Sequence, residues 1–136
     1  MQDCIFCKIV EGKIPCSKLY ENEHILSFLD INPVNKGHAL VIPKEHFEDM
    51  TKIPEKELKE LIHVSQKVAI AVEKATNAHG FNISMSNKPA AGQVVMHAHF
   101  HIIPRYEDDG LKLWPQGKYD EGEMEVYRKK ISELMK

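Results

Sequence analysis

From Val94 to Ile103 the chain alternates without a break. Val94, Met96, Ala98, Phe100 and Ile102 fall on one parity, and His97, His99 and His101 stand between Val95 and Ile103 on the other. Strand side chains point to opposite faces in turn, so the pattern predicts a β-strand over Val94–Pro104. One face is wholly apolar and belongs on a core; the other carries a row of imidazoles. Same-face positions lie about 6.6–6.8 Å apart, which sets the outer two histidines about 13 Å apart and argues against all three meeting on one metal ion. A solvent-facing sheet explains polar residues there but not three histidines in succession. Imidazole is part neutral at pH 7, nucleophilic and able to carry protons. The row therefore predicts a nucleophile whose neighbours set its tautomer and handle protons. The competing reading is a metal-dependent hydrolase with His97 and His99 as an H-x-H ligand pair.

Around this strand the sequence predicts a mixed fold. Cys4 to Glu11 suits one or two helical turns ended by Gly12. Lys18–Tyr20 and Ile25–Leu29 read as short strands joined by Glu21-Asn22-Glu23, and Gly37–Pro43 as a strand stopped by proline. From Pro54 to Asn77, Leu58, Leu61, Ile62, Val68, Ala69, Val72 and Ala75 recur at helical spacing, with Pro54, Glu55 and Glu57 at the start. Phe81–Met85 is a short strand and Ser86–Gly92 a loop. Met124, Tyr127, Ile131, Leu134 and Met135 mark a C-terminal amphipathic helix. The prediction is α+β: a mostly antiparallel sheet, one long helix on one face and short helices at the ends, in one domain spanning residues 1–136.

The 18 basic and 20 acidic residues leave a formal charge of −2, so no basic excess drives nucleic-acid binding. No apolar run reaches membrane-spanning length, and the N-terminus lacks the layout of a signal peptide, which predicts a cytoplasmic protein. Cys4 and Cys7 are spaced C-x-x-C; in a reducing compartment that spacing suggests a metal or redox pair rather than a disulfide framework. Cys16 reads as a free thiol, and His24, His63 and His79 as surface residues.

His97-Ala98-His99-Phe100-His101-Ile102-Ile103 resembles the signature of the histidine-triad (HIT) family of nucleotide-binding hydrolases and transferases. Gly92-Gln93 before it, Pro104-Arg105 after it, Phe28-Leu29-Asp30-Ile31, Gly37-His38, Val41-Ile42-Pro43-Lys44 and Cys4-Ile5-Phe6-Cys7-Lys8-Ile9 extend the similarity over about residues 3–106. The resemblance implies the HIT-like fold with about five antiparallel strands. It implies a hydrolase that releases a nucleoside monophosphate, AMP by preference, from a phosphoramidate, an adenylate or a dinucleoside polyphosphate. A nucleotide sensor or adaptor with little turnover is the alternative. By this resemblance His99 is the nucleophile and forms a covalent nucleotidyl-histidine, its other ring nitrogen held by the strand's backbone. His101 contacts the phosphate or leaving group, and His38 completes the cluster with His97. Backbone N–H groups of Gly92-Gln93-Val94 and the Gln93 side chain hold phosphate oxygens. Asp30 takes the ribose hydroxyls, and Phe6, Ile9, Phe28 and Ile31 form the purine slot. Alone, Asp30 reads as a turn former and the apolar four as core.

Two positions depart from the family pattern: Val94 where many members carry Ser or Thr, and Ser86 where many carry Asn or Gln, with Asn87 beside it as a substitute. The resemblance also implies a structural zinc held by Cys4, Cys7, His46 and His97, ordinary thiols or a redox pair being the alternatives. Leu113-Trp114-Pro115-Gln116-Gly117 is similar to a Trp-Pro-x-Gly segment of one eukaryotic branch. The resemblance implies a homodimer through the long helix, with Leu58, Leu61 and Ile62 toward the sheet and Val64, Ile70 and Ala71 on a second face.

Overall fold

The computed structural model describes residues 3–136. Five antiparallel strands form one sheet: β1 (Lys18–Glu21), β2 (Ile25–Leu29), β3 (Ala39–Pro43), β4 (Gly80–Ser84) and β5 (Phe100–Arg105), in spatial order β1-β2-β3-β5-β4. A short helix α1 (Ile5–Val10) precedes the sheet, α2 (Glu55–Thr76) lies between β3 and β4, and α3 (Glu123–Leu134) follows it. The predicted α+β architecture is the observed one.

The sheet is buried on both faces. Against one face packs α2, whose Leu61, Val64, Val68, Ala69 and Val72 meet Ile25, Ala39, Val41, Ala98, Phe100 and Ile102. On the other face Phe6 of α1 joins Leu26, Phe28, Leu40 and Ile42. Two-sided burial explains why β2 and β3 read as continuous apolar runs rather than alternating ones. Ser27, the polar residue inside that run, donates its hydroxyl to the Leu40 carbonyl at 2.8 Å. Gly37, at φ +99°, is required by more than its turn: a Cβ there would stand 2.6 Å from Thr76 Cγ2 at the end of α2.

Two expectations about faces are corrected. Val64 belongs to the sheet-facing stripe of α2 and is buried, whereas Ile62 is exposed alongside Ile70. At 3.6 residues per turn, Leu61, Val64, Val68 and Val72 form a tighter stripe than one that includes Ile62. The second correction concerns the histidine strand. Regular pairing begins only at Phe100, so Val94–His99 lies outside the ladder. Val94 is 89% exposed and Met96 40%, so the core face expected over Val94–Ile102 consists of Ala98, Phe100 and Ile102 alone. The Ala98 N–H donates to the Phe47 carbonyl at 2.7 Å instead of to a neighbouring strand, and that bond turns the segment off the sheet.

Candidate active site

Because β5 begins at Phe100, the three histidines are not a straight row. His99 and His101 stay neighbours, with ring centroids 4.8 Å apart. His97 is fully buried in the bend before the strand. Its Nε2 lies 2.8 Å from the Pro43 carbonyl, which fixes the ring proton there. Nδ1 is left with its lone pair toward Cys4 Sγ at 3.3 Å and Cys7 Sγ at 3.6 Å.

That pair of thiols is one half of a closed cluster. His46 Nδ1 lies 3.3 Å from Cys7 Sγ. The ligand atoms of Cys4, Cys7, His46 and His97 all lie within 4.8 Å of one another. A tetrahedral zinc with two sulfur and two nitrogen ligands needs edges of about 3.3–3.8 Å, and the Cys4–His97, Cys7–His46 and Cys7–His97 separations of 3.3, 3.3 and 3.6 Å match them, so the donor set fits that ion. Burial, with the neighbouring Cys4 thiol, pushes the Cys7 thiol up to about 11.

The other two histidines open on a cavity of about 470 Å³ between α1, the end of β2, and the loop that precedes the triad. Phe6, Ile9, Phe28 and Leu40 form its apolar wall, and Asp30, Ser86, Gly92, His99 and His101 its polar one. The Phe6 ring meets His99 edge-on, with centroids 5.0 Å apart. Ile31, 90% exposed, lines the cavity at its mouth. Asp30 forms the turn expected of it and also lines the cavity. One carboxylate oxygen accepts the Asn32 N–H at 2.8 Å, and the other lies 3.7 Å from His38 Nε2 beside the cavity.

The hydrogen bonds assign a tautomer to each imidazole. His99 Nδ1 lies 2.7 Å from the His97 carbonyl, so the proton sits on Nδ1. Nε2 has no hydrogen-bond partner among the described residues and opens to the cavity. The Val34 N–H donates to His38 Nδ1 at 3.1 Å, so His38 carries its proton on Nε2 and gives it to His101 Nδ1 at 2.9 Å. His101 therefore presents an N–H at Nε2. Burial lowers the His38 and His99 pKa values. Burial, with His99 and His38 adding to it, brings His101 down to about 4. All three rings are thus neutral at pH 7, as this chain of donors and acceptors requires.

The loop before the triad is braced from within. Gln93 is buried; its Oε1 accepts the Lys88 N–H at 2.7 Å and its Nε2 donates to the carbonyls of Glu48 and Val95 at 2.6 and 2.9 Å. These bonds hold Lys88 at φ +75° and Gly92 at φ +95°. With both amide protons engaged, the Gln93 side chain has none for a ligand, contrary to the sequence expectation. Asn87 is also engaged elsewhere: its Oδ1 accepts the Met50 N–H at 2.7 Å, and it does not line the cavity. Donors of cavity-lining residues that no hydrogen bond among the described residues engages include the Ser86 hydroxyl, the backbone N–H of Val94 and His101 Nε2–H. Sequence reasoning missed Val34 and Cys16. Val34 acts through its backbone, which has no side-chain signature. The free thiol of Cys16 lies in the cavity wall, brought there by the chain reversal before β1.

The model of the HIT domain family matches residues 11–108. The chain belongs to the HIT family. It is 53% identical over 107 residues to a HIT-like protein of Methanocaldococcus jannaschii, covering 79% of this chain and 82% of that one. It is 42% identical over 135 residues to the adenosine 5′-monophosphoramidase of Schizosaccharomyces pombe, covering 98% of each. Among solved structures, a Streptococcus mutans UA159 protein superposes with TM-score 0.94 at 42% identity, over 100% of this HIT chain and 87% of its own. A zinc-bound histidine-triad protein of Mycobacterium smegmatis superposes with TM-score 0.78 at 36% identity, over 98% and 96% of the two chains.

Proposed function

We propose that this HIT protein is a nucleotide hydrolase that releases AMP through a covalent intermediate on His99. One observation carries the reading: with Nδ1–H spent on the His97 carbonyl, His99 turns an unprotonated Nε2 into the cavity. In this mechanism the Nε2 lone pair attacks the α-phosphorus and forms a P–N bond. The bond to the leaving group breaks, and its electron pair leaves with that group, which takes a hydrogen bond or proton from His101 Nε2–H. Water then cleaves the P–N bond, giving AMP and restoring His99. The purine lies against Phe6, Ile9 and Phe28, with Ile31 at the mouth; Asp30 accepts the ribose hydroxyls. Ser86 and the N–H groups of Gly92, Gln93 and Val94 belong to the loop facing the phosphate. Of these, the Gly92 and Gln93 N–H groups already donate to the Pro89 and Lys88 carbonyls, so Val94 N–H and the Ser86 hydroxyl do the binding.

Cys4, Cys7, His46 and His97 would hold zinc. With all four ligand positions filled, the ion ties α1 to the segment carrying His99 and keeps the thiols deprotonated. The chain works as a homodimer through α2 and the free edge of β4, where Ile62, Ile70 and Phe81 are exposed.

The test is AMP release from adenosine 5′-phosphoramidate by wild type and His99→Ala, with a rapid alkaline denaturing quench and intact mass for the adenylylated protein. Turnover with a wild-type adduct that the variant lacks supports the reading. Turnover that survives in His99→Ala overturns it. Binding of AMP with no turnover of the phosphoramidate or of diadenosine polyphosphates moves the protein to the sensor class.

A further inference from the structure

We infer that the metal cluster and the phosphate loop form one coupled unit: zinc on Cys4, Cys7, His46 and His97 raises the affinity for AMP, and AMP raises the affinity for zinc by the same factor. This rests on the zinc and AMP sites proposed above and joins them through the segment that begins at His46.

Residues 46–49 belong to no strand or helix. At one end of the segment stands the metal ligand itself, with His46 Nδ1 3.3 Å from Cys7 Sγ. Each of the next four residues is fastened to the histidine segment or to the loop before it. The Phe47 carbonyl accepts the Ala98 N–H at 2.7 Å. The Glu48 carbonyl accepts from Gln93 Nε2 at 2.6 Å, and buried Asp49 pairs with Lys88 Nζ at 3.3 Å. The Met50 N–H donates to Asn87 Oδ1 at 2.7 Å. Phe47 and Met50 also pack against the core under α2, which stiffens the connection. A stiff connector passes on a displacement that a slack one would absorb.

The loop at the far end has a relaxed arrangement to fall into. Lys88 stands at φ +75° and ψ 156°, a region that is essentially glycine's own. Such a backbone persists only while its surroundings hold it. Here three of the bonds that hold the loop come from residues 48–50. The donors assigned to the phosphate, the Ser86 hydroxyl and the Val94 N–H, sit at the two ends of that loop. Metal at His46 therefore favours the same loop arrangement that a bound phosphate favours. Two ligands that select one state of a shared element are coupled, and the coupling is reciprocal.

The experiment uses the full chain. AMP affinity is measured by calorimetry on zinc-loaded and zinc-free protein, and zinc affinity by competition with a chelating dye, with and without saturating AMP. Amide exchange of Lys88, Ala91 and Gln93 is followed in both metal states without nucleotide. Asp49→Asn/Asn87→Ala is carried through the same measurements. It cuts two of the links, keeps an acceptor for the Thr51 N–H, and leaves the zinc ligands and the cavity wall in place. In wild type, zinc is expected to tighten AMP binding about tenfold, AMP to tighten zinc binding by the same factor, and zinc to slow the three amides. In the variant, zinc content stays as in wild type and the factor falls toward one. Equal AMP affinity in the two metal states of folded wild type overturns the inference, as do amide exchange indifferent to zinc and coupling undiminished in the variant. If the zinc-free protein unfolds, the loaded variant decides: it is expected to bind AMP severalfold more weakly than loaded wild type, and equal affinity overturns the inference. Loaded wild type that binds no AMP overturns the proposed function as well, whereas binding without coupling overturns this inference alone. Protein that takes up no zinc also overturns it and leaves the chemistry at His99 standing.

Discussion

His38 Nε2 lies 2.9 Å from His101 Nδ1, and the Val34 N–H bonded to the far side of His38 gives that contact a direction. A backbone donor thereby fixes which nitrogen of His101 faces the cavity with a proton. His38 does not line the cavity and acts as a positioning residue. Replacing it with Phe removes the acceptor for Val34 and the donor for His101. The expected outcome is a kcat lower by about tenfold to a hundredfold with KM little changed, because the loss falls on proton handling. His38→Asn, which keeps a donor, should recover part of it. Steady-state kinetics on the phosphoramidate checks both.

The brace at Gln93 should matter for stability and for phosphate binding together. The amide of this buried residue makes three hydrogen bonds. Gln93→Ala strands the Lys88 N–H and two carbonyls and is expected to cost about 2–3 kcal/mol in urea unfolding. AMP affinity should fall with it, because Lys88 and Gly92 lose the constraint that holds their left-handed backbone. Gln93→Glu keeps the acceptor but sets a carboxylate oxygen against the Glu48 and Val95 carbonyls, and should cost at least as much as the alanine.

Metal content offers a separate check. Purified protein should carry about one zinc per chain, and Cys7→Ser or His46→Ala should lower that occupancy and the thermal midpoint. A strong chelator should lower the midpoint as well. Adenylylation of His99 in protein that remains folded should persist, since no ligand of the cluster faces the cavity through His99 Nε2.

Acid should loosen the loop that follows β5. The Arg105 guanidinium, with the N–H groups of Tyr106 and Leu111, holds the Asp109 carboxyl far below the usual carboxylate range. A depressed carboxylate pKa stabilises the fold above the unfolded value, near pH 4, and that contribution is lost as pH falls toward the folded value. Wild type should therefore lose more stability than Asp109→Asn between about pH 4 and pH 2. Thermal midpoints across that range read the difference. The opposite slope would mean that the Arg105 clamp adds nothing to folding.

Much of this was legible in the chain. Period-2 alternation at Phe100–Arg105 and the apolar stripe of α2 report burial directly, because strand and helix geometry dictate which residues share a face. The C-x-x-C spacing exposed half of the metal cluster for the same local reason. Boundaries and directions were less legible. Val94, Met96 and His97 continue the alternation of the strand yet lie outside it, because a hydrogen bond from Ala98 to Phe47, distant in sequence, wins over the ladder. Gln93 and Asn87 read as ligand donors, but the Glu48 carbonyl takes a Gln93 amide proton and the Met50 N–H anchors the Asn87 side-chain oxygen away from the cavity.

The sequence by itself determined the chemistry available: three histidines beside a glycine turn, two thiols, and an apolar frame to bury them. Only the tertiary structure decided which nitrogen of each ring is free. A ring tautomer is set by whichever donor or acceptor packs beside it, and here those are the carbonyls of His97 and Pro43 and the N–H of Val34. Backbone groups are the same at every residue, so their placement is written in the fold and not in the side chains that the sequence spells out.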